Sequence, residues 1–329
     1  MKKVLASSVS FCKYSIMNEP GDILRDAGIH VDINQTGKSL TEAELLSAIS
    51  QYDAIIAGTE PVTANVIHVG KNLKIIAKNG VGYDNIDLKA ATEKGIFVTI
   101  TPGAVEQTVA DSTFAMILSL ACNITKGDTA LHKGEWPRLV GMSISGKKLG
   151  VIGLGRIGKN VVIRSKGFGM EVYAYDPQPD IEFARQYDVK LVDLDLLLKN
   201  CDIVSVHAPN ISATHHLINQ EKLALMKPNA VLINTSRGSL VDESALAEAL
   251  QEKRIAGAAL DVFEKEPLMK DSQLLALDNV VLTPHLAGLS ADALLASGKM
   301  IAENIIATFS GEIPQNIVNQ DLIQKLGNP

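Results

Sequence analysis

The chain has 329 residues, 46% of them hydrophobic, and a formal net charge of -6. That length is more than one core usually serves, so two domains are expected. The acidic balance without any Lys/Arg block speaks against a nucleic-acid surface, and no window reaches the ~18 consecutive apolar residues of a membrane span.

The opening stretch carries Lys2 and Lys3 but no long apolar core and no cleavage pattern. Residues 4–6 therefore read as a first strand, not a signal peptide. Cys12, Cys122 and Cys201 are widely spaced, with no C-x-x-C. They fit buried thiols in a reducing cytosol, so a cytoplasmic protein is expected. Up to about residue 100, short strands alternate with helices. Residues 54–57, 74–77 and 96–99 read as further strands. Residues 42–51 read as a helix opened by a Thr41/Glu44 capping box, and 87–94 as a helix stopped by Gly95. This is a parallel α/β layer of its own, without a glycine fingerprint.

Thr101-Pro102-Gly103 breaks the pattern. One long helix is expected from 105 to about 126, its middle nearly all apolar. Residues 127–146 are polar and irregular around Trp136-Pro137. They read either as an arm that crosses to a second subunit or as a surface loop. Because so apolar a helix would expose too much surface on a monomer, a homodimer built on 105–146 is expected.

Residues 148–177, KLGVIGLGRIGKNVVIRSKGFGMEVYAYDP, read as strand, glycine turn, helix, strand. Gly153, Gly155 and Gly158 form G-x-G-x-x-G directly after an apolar strand. The first glycine permits a tight turn, the second lets backbone approach a pyrophosphate, and the third lets the helix pack on the strand. The helix amino terminus adds N–H groups and a positive dipole end. Asp176 ends the second strand, where a carboxylate accepts from both ribose hydroxyls and repels a 2′-phosphate. The cofactor indicated is NAD, not NADP.

Residues 203–207, 231–234, 256–261 and 280–283 complete an open, doubly wound sheet, with helices between them. A last helix, 292–309, is expected to return to the first domain. The fold class is α/β, with two Rossmann-like doubly wound parallel-sheet domains. The NAD domain (102–285) is an insertion in a discontinuous substrate domain (1–101 and 286–329).

In such sheets ligands sit beyond the carboxyl ends of the strands. The residues there are His207, Ala208 and Pro209; then Thr235, Ser236 and Arg237; then Asp261, Glu264 and Glu266; then Thr283, Pro284 and His285. One Arg, one Glu and one His converge on the cofactor edge. Taken singly, Arg237 could tie down a loop, Glu266 could be a solvated turn residue and His285 a satisfied structural histidine. His207 lines the cofactor site. His215 and His216 lack metal-ligand partners in the sequence pattern and read as structural; no metal is expected.

Six stretches carry a resemblance. They are NGVGYDNID (79–87), GLGRIG (153–158), VHAP (206–209), MKPNAVLINTSRG (226–238), AALDVFEKEP (258–267) and TPHLAG (283–288). With them the chain resembles the D-isomer-specific 2-hydroxyacid dehydrogenases, and most of all the short D-3-phosphoglycerate dehydrogenases. The resemblance implies that Arg237, Glu266 and His285 are the catalytic set. It implies NAD contacts from Arg156, Ile157, Asp176, Thr235 and Asp261, and Gly288 at the end of the last stretch joins the cofactor-binding residues.

Two departures concern the substrate and the first helix. Phosphoglycerate-using relatives often place an arginine where this chain has Ala57-Gly58-Thr59, and the common Val-Ala-Glu is here Val109-Ala110-Asp111. Ending at Pro329, the chain is expected to lack the appended regulatory domain of longer relatives.

The implied chemistry is hydride transfer between NAD(H) and a 2-hydroxy or 2-keto acid. His285 serves as base in oxidation and acid in reduction, Glu266 orients the ring and stabilises the imidazolium, and Arg237 grips the substrate carboxylate. Asn79, Gly80, Val81 and Gly82 offer backbone N–H groups, and Lys78 is a candidate for a distal phosphate, the alternative being a solvated lysine at a strand end. The substrate expected is 3-phosphoglycerate or, alternatively, glyoxylate, hydroxypyruvate or another sugar acid. An NAD-sensing binding protein is the remote alternative. Domain closure about 101–104 and 284–290 is expected to exclude water.

Overall fold

The computed structural model describes residues 1–325 and divides the chain into two compact units, Met1–Val105 with Leu289–Pro329, and Glu106–Gly288. Among the described residues no single helix is long and apolar enough to cross a membrane.

The first unit holds five strands: β1 (Lys3–Ala6), β2 (His30–Ile33), β3 (Ala54–Ala57), β4 (Ile75–Lys78) and β5 (Phe97–Thr99). They are all parallel, in the order β2-β1-β3-β4-β5. Side chains alternate across the sheet, so Ala54 and Ile56 feed one core while Ile55 and Ala57 feed the other. One face is covered by helices Glu42–Ala48, Ala64–Val69 and Leu88–Glu93. The first of these has the capping box, with Glu44 N–H donating to the Thr41 hydroxyl and the Glu44 side chain accepting from Thr41 N–H. The other face packs on helix Ala291–Phe309 through Ile301, Ala302 and Ile305.

The second unit holds seven parallel strands: β6 (Lys148–Ile152), β7 (Glu171–Tyr175), β8 (Val189–Leu191), β9 (Ile203–Val206), β10 (Val231–Asn234), β11 (Gly257–Leu260) and β12 (Val280–Leu282). Their order is β12-β11-β10-β9-β6-β7-β8. The direction of winding reverses between β6 and β9, which opens a crevice at the carboxyl edge. Helix Glu106–Ala121 lies on this sheet with Phe114 and Ile117 buried, each worth roughly 1.5–3 kcal/mol. Phe114 stacks on Phe168 at 5.3 Å between centroids.

Three expectations are corrected. The helix from 105 does not run on to 126. It ends at Ala121, Asn123 takes the left-handed φ of 54°, and Ile124–His132 departs at 64°. Asparagine tolerates that conformation, and its Nδ2 donates to Val140 O at 3.1 Å. The apolar middle of that helix is buried on its own sheet, so it does not by itself demand a second subunit. Cys122, beside the break, is exposed rather than buried. Strands β2 and β8 were not legible at all, and both are sheet edges.

Candidate functional site

The turn after β6 shows why each glycine stands where it does. Gly153 has a φ of +94°, and a Cβ there would fall 2.7 Å from the His207 carbonyl carbon. A Cβ on Gly158 would fall 2.1 Å from Gly153 O, so the helix Arg156–Ser165 packs directly on the turn. A Cβ on Gly155 would meet nothing within 4 Å. The helix amino end is thus open to an approaching phosphate. Asp176 braces the turn, since its Oδ2 accepts from Leu154 N–H at 2.7 Å and its Oδ1 from Gln178 N–H at 2.8 Å. Ile157, beside Arg156, packs its side chain against the core of the sheet.

Strand β9 delivers His207, whose N–H donates to Ile152 O at 2.7 Å. Its Nε2 lies 2.8 Å from the Ser205 hydroxyl, and its Nδ1 is enclosed with no hydrogen-bond partner. Burial pushes this imidazole down to about 3, so the ring is neutral. An enclosed polar atom without a partner, next to an open glycine turn, suits a bound dinucleotide. Ala208 and Pro209 continue past it along the same edge.

Strand β10 delivers Thr235, buried with its hydroxyl 3.1 Å from that of Thr113, and Ser236, whose hydroxyl donates to Val206 O at 2.7 Å. Arg237 follows, with Nη1 donating to Ser236 O at 2.8 Å and its own carbonyl accepting from Asn234 Nδ2 at 2.8 Å. A Cβ on the next residue, Gly238, would fall 1.8 Å from the Phe263 carbonyl carbon. Only glycine lets the arginine loop lie against the loop after β11.

That second loop carries Glu266. Its Oε1 accepts from Phe263 N–H at 3.1 Å and its Oε2 lies 2.7 Å from Nδ1 of His285. Burial raises the carboxyl, but the hydrogen bond and charge of His285, the Phe263 N–H and the positive charge of Arg237 outweigh it, so the group is held below its usual range. His285 itself has a φ of +55°, rare outside glycine, and its N–H donates to Asp261 O at 2.8 Å.

The Asp261 carboxylate is 1% exposed. It accepts from the Thr283 hydroxyl at 2.6 Å, from Leu286 N–H at 2.7 Å and from Ala287 N–H at 2.8 Å. This anchoring of the histidine loop, which ends at Gly288, was not legible in the sequence; Asp261 was expected only at the cofactor.

In the other unit, Lys78 ends β4. It is 5% exposed and its ammonium donates to Gly58 O, so the solvated strand-end lysine is ruled out by burial. Asn79 donates through Nδ2 to the hydroxyls of Ser8 and Ser10, both at 3.0 Å. Gly80 has a φ of +126° and its N–H donates to the Thr101 hydroxyl at 3.0 Å. Val81 and Gly82 follow it, partly exposed.

Sequence spacing also missed the partners of His216. Its Nε2 lies 2.8 Å from Glu264 Oε1 and its Nδ1 3.9 Å from Asp242 Oδ2. The three residues bring ligand atoms within 4.8 Å of one another, but the carboxylates face opposite ring nitrogens. One imidazole turns only one nitrogen to a metal, so the trio reads as a structural contact of one ring with two carboxylates.

The sequence pattern described as "D-isomer specific 2-hydroxyacid dehydrogenase, NAD binding domain" matches residues 114–287. The glyoxylate reductase of Korarchaeum cryptofilum is 42% identical over 287 residues, covering 85% of this chain and 86% of its own. The D-3-phosphoglycerate dehydrogenase of Methanocaldococcus jannaschii is 46% identical over 300 residues, covering 89% of this chain and 57% of its own. A crystal structure of D-lactate dehydrogenase from Aquifex aeolicus complexed with NAD and lactic acid superimposes with a TM-score of 0.85 at 30% identity, covering 97% of this chain and 99% of that one.

Proposed function

The chain belongs to the D-isomer specific 2-hydroxyacid dehydrogenase family, an NAD-dependent oxidoreductase acting on CH–OH groups, and we propose that Arg237, Glu266 and His285 are its catalytic residues. The observation that carries this is the 2.7 Å contact between Nδ1 of His285 and Oε2 of Glu266, made on the sheet edge that also presents Arg237. NAD, when bound, accepts the hydride of the hydroxy acid, and NADH returns it in reduction.

With Nδ1 committed to Glu266, Nε2 of His285 is the atom that takes the hydroxyl proton in oxidation and gives it back in reduction. Glu266 holds the ring in one orientation and stabilises its charged form. Arg237 pairs with the substrate carboxylate through its planar fork. Of the stretch 79–82 expected to offer backbone N–H groups, Asn79 N–H is already given to Ala57 O at 2.8 Å and Gly80 N–H to the Thr101 hydroxyl at 3.0 Å, so only those of Val81 and Gly82 are proposed as substrate donors. Gly153, Gly155, Arg156, Ile157, Gly158, Asp176, His207, Ala208, Pro209, Thr235, Ser236 and Gly288 are assigned to NAD, and Asp261 to the support of His285. The test is turnover of NADH with a panel of 2-keto acids, run in both directions.

Two substrates stand open. The M. jannaschii relative supports 3-phosphoglycerate. Against it, the only cation proposed for the phosphate, Lys78, is buried on Gly58 O, and Ala57-Gly58-Thr59 offers none. An unphosphorylated keto acid is therefore the reading preferred.

A homodimer is assigned on different grounds from those of the sequence. Past the helix break, Trp136 is 78% and Val140 93% exposed, with Ile124 and Leu131 also exposed. A second copy of this segment is the proposed cover. Its three free thiols support a cytoplasmic location.

A further inference from the structure

A residue of the second unit ties together the loops that follow β9, β10 and β11. His216 lies in the loop after β9. Its N–H donates to Ser239 O at 2.8 Å, two residues past Arg237 in the loop after β10. Its Nε2 lies 2.8 Å from Glu264 Oε1, two residues before Glu266 in the loop after β11. The backbone at His216 is unusual. Its φ is +48°, a left-handed conformation that glycine adopts freely and a residue with a Cβ adopts at a cost. The side chain is 33% exposed, so burial of an apolar body does not offset that cost. The contacts of the ring do.

The contact with Glu264 reaches Glu266 through one peptide. Glu264 Oε1 also accepts from Glu243 N–H at 3.1 Å, in the first turn of helix Glu243–Gln251, and Glu264 N–H donates to Glu243 Oε2 at 3.2 Å. The Phe263 carbonyl just before it lies against the backbone of Gly238. The peptide joining Phe263 to Glu264 is therefore held at two points, by the Gly238 main chain and by the Glu264 side chain. Phe263 N–H in turn donates to Glu266 Oε1 at 3.1 Å, and Glu266 Oε2 meets His285. A slip of Glu264 passes along this path to the carboxylate that orients the histidine.

We propose that His216 is a positioning residue for the proton relay: through Glu264 it holds residues 263–266 at the spacing at which Glu266 meets His285. This rests on the roles proposed above for Glu266 and His285. His216 takes no proton from the substrate and acts only through its neighbours. Histidine suits the place because its two ring nitrogens face carboxylates on two loops, Glu264 after β11 and Asp242 after β10. A glycine there would relax the backbone and leave Glu264 held by Glu243 alone.

The experiment sets kcat against stability. Glyoxylate, hydroxypyruvate and 3-phosphohydroxypyruvate are tried with NADH, and the variants are compared on the acid the unmodified enzyme reduces best. His216→Gly is expected to lower kcat by about five- to tenfold, with NADH affinity by fluorescence titration within about twofold. Its urea midpoint is expected to move little, since relief of the left-handed backbone offsets the lost contact. His216→Gln keeps an amide donor at the reach of Nε2 but not the backbone relief. It is expected to return kcat to within about twofold of the unmodified enzyme, with a urea midpoint no better than that of the glycine variant. Glu264→Ala is expected to lose at least as much kcat as His216→Gly, and the double variant no more than Glu264→Ala alone, because both changes break one path. An unchanged kcat in His216→Gly, a loss that glutamine does not restore, or losses that multiply in the double variant overturn the positioning role and leave the Glu266–His285 relay standing. Turnover of none of the three acids by the unmodified enzyme overturns the relay, and the role of His216 with it.

Discussion

Nδ1 of His285 lies 2.7 Å from Oε2 of Glu266, while the other oxygen of that carboxylate is held by the Phe263 N–H at 3.1 Å. Both carboxylate oxygens are committed, so the group cannot rotate away from the ring. Glu266→Gln keeps the shape and removes the charge. Reduction rates are expected to fall by about ten- to a hundredfold, because the imidazolium loses its charged partner. The carboxyl is held below its usual range, so the anion persists as pH falls through the ordinary glutamate value of about 4.3 and is lost only below it. An unchanged rate in the variant would reduce Glu266 to a turn residue.

Asp261 tests whether the histidine loop depends on its anchor. Asp261→Asn sets an amide donor against the donors that now meet the carboxylate. The rate at saturating NADH is expected to fall by about tenfold or more, since small misplacements of catalytic groups are costly. NADH affinity, read by fluorescence titration, is expected to change little. Lost affinity with an intact saturated rate would place Asp261 on the cofactor instead.

Asp176 is proposed to meet the ribose and is seen to brace the glycine turn, and one substitution removes both. Asp176→Ala is expected to narrow the preference for NADH over NADPH. It also frees the Leu154 and Gln178 N–H groups. Stability is therefore expected to drop by roughly 1–3 kcal/mol in urea titration. Equal use of both cofactors by the unmodified protein would remove Asp176 from the ribose.

His207 gives a pH signature of stability. Its imidazole is lowered by burial to about 3, against about 6.5 in an unfolded chain. Between these values the unfolded chain binds the proton and the folded one does not, so stability falls as pH drops from 6.5 towards 3. The slope from this one group is about 1.4 kcal/mol per pH unit. His207→Asn, which cannot titrate, should show a flatter dependence of urea midpoint on pH across that window. Parallel curves for the two proteins would mean that the ring takes its proton in the folded state.

Light scattering tests the dimer. The unmodified chain is expected at twice the monomer mass at micromolar concentration, and Trp136→Ser with Val140→Lys is expected to shift it towards monomer. A monomeric mass for the unmodified chain would leave these side chains as plain surface.

The central strands were legible because burial on both faces forces continuous apolar runs, such as AIIA in β3 and VLIN in β10. The same logic hid β2 and β8. They are edge strands, and His30, Asp32 and Lys190 interrupt the apolar pattern where one side meets water. The convergence of Arg237, Glu266 and His285 on one edge followed from their places after consecutive strands. Their supports did not, because Asp261 with Ala287, and Glu264 with His216, meet only once the chain has folded. The turn at Asn123 was hidden for another reason: an asparagine inside an apolar helix gives no sign of which conformation it will take.

Gly238 has a consequence for anyone reshaping this protein. Its α-carbon lies so near the Phe263 backbone that no side chain fits between the loop bearing Arg237 and the loop bearing Glu266. The two loops are spaced by main chain against main chain, and mutation cannot adjust that spacing in small increments. Any redesign of the arginine loop therefore has to move the Phe263 loop with it.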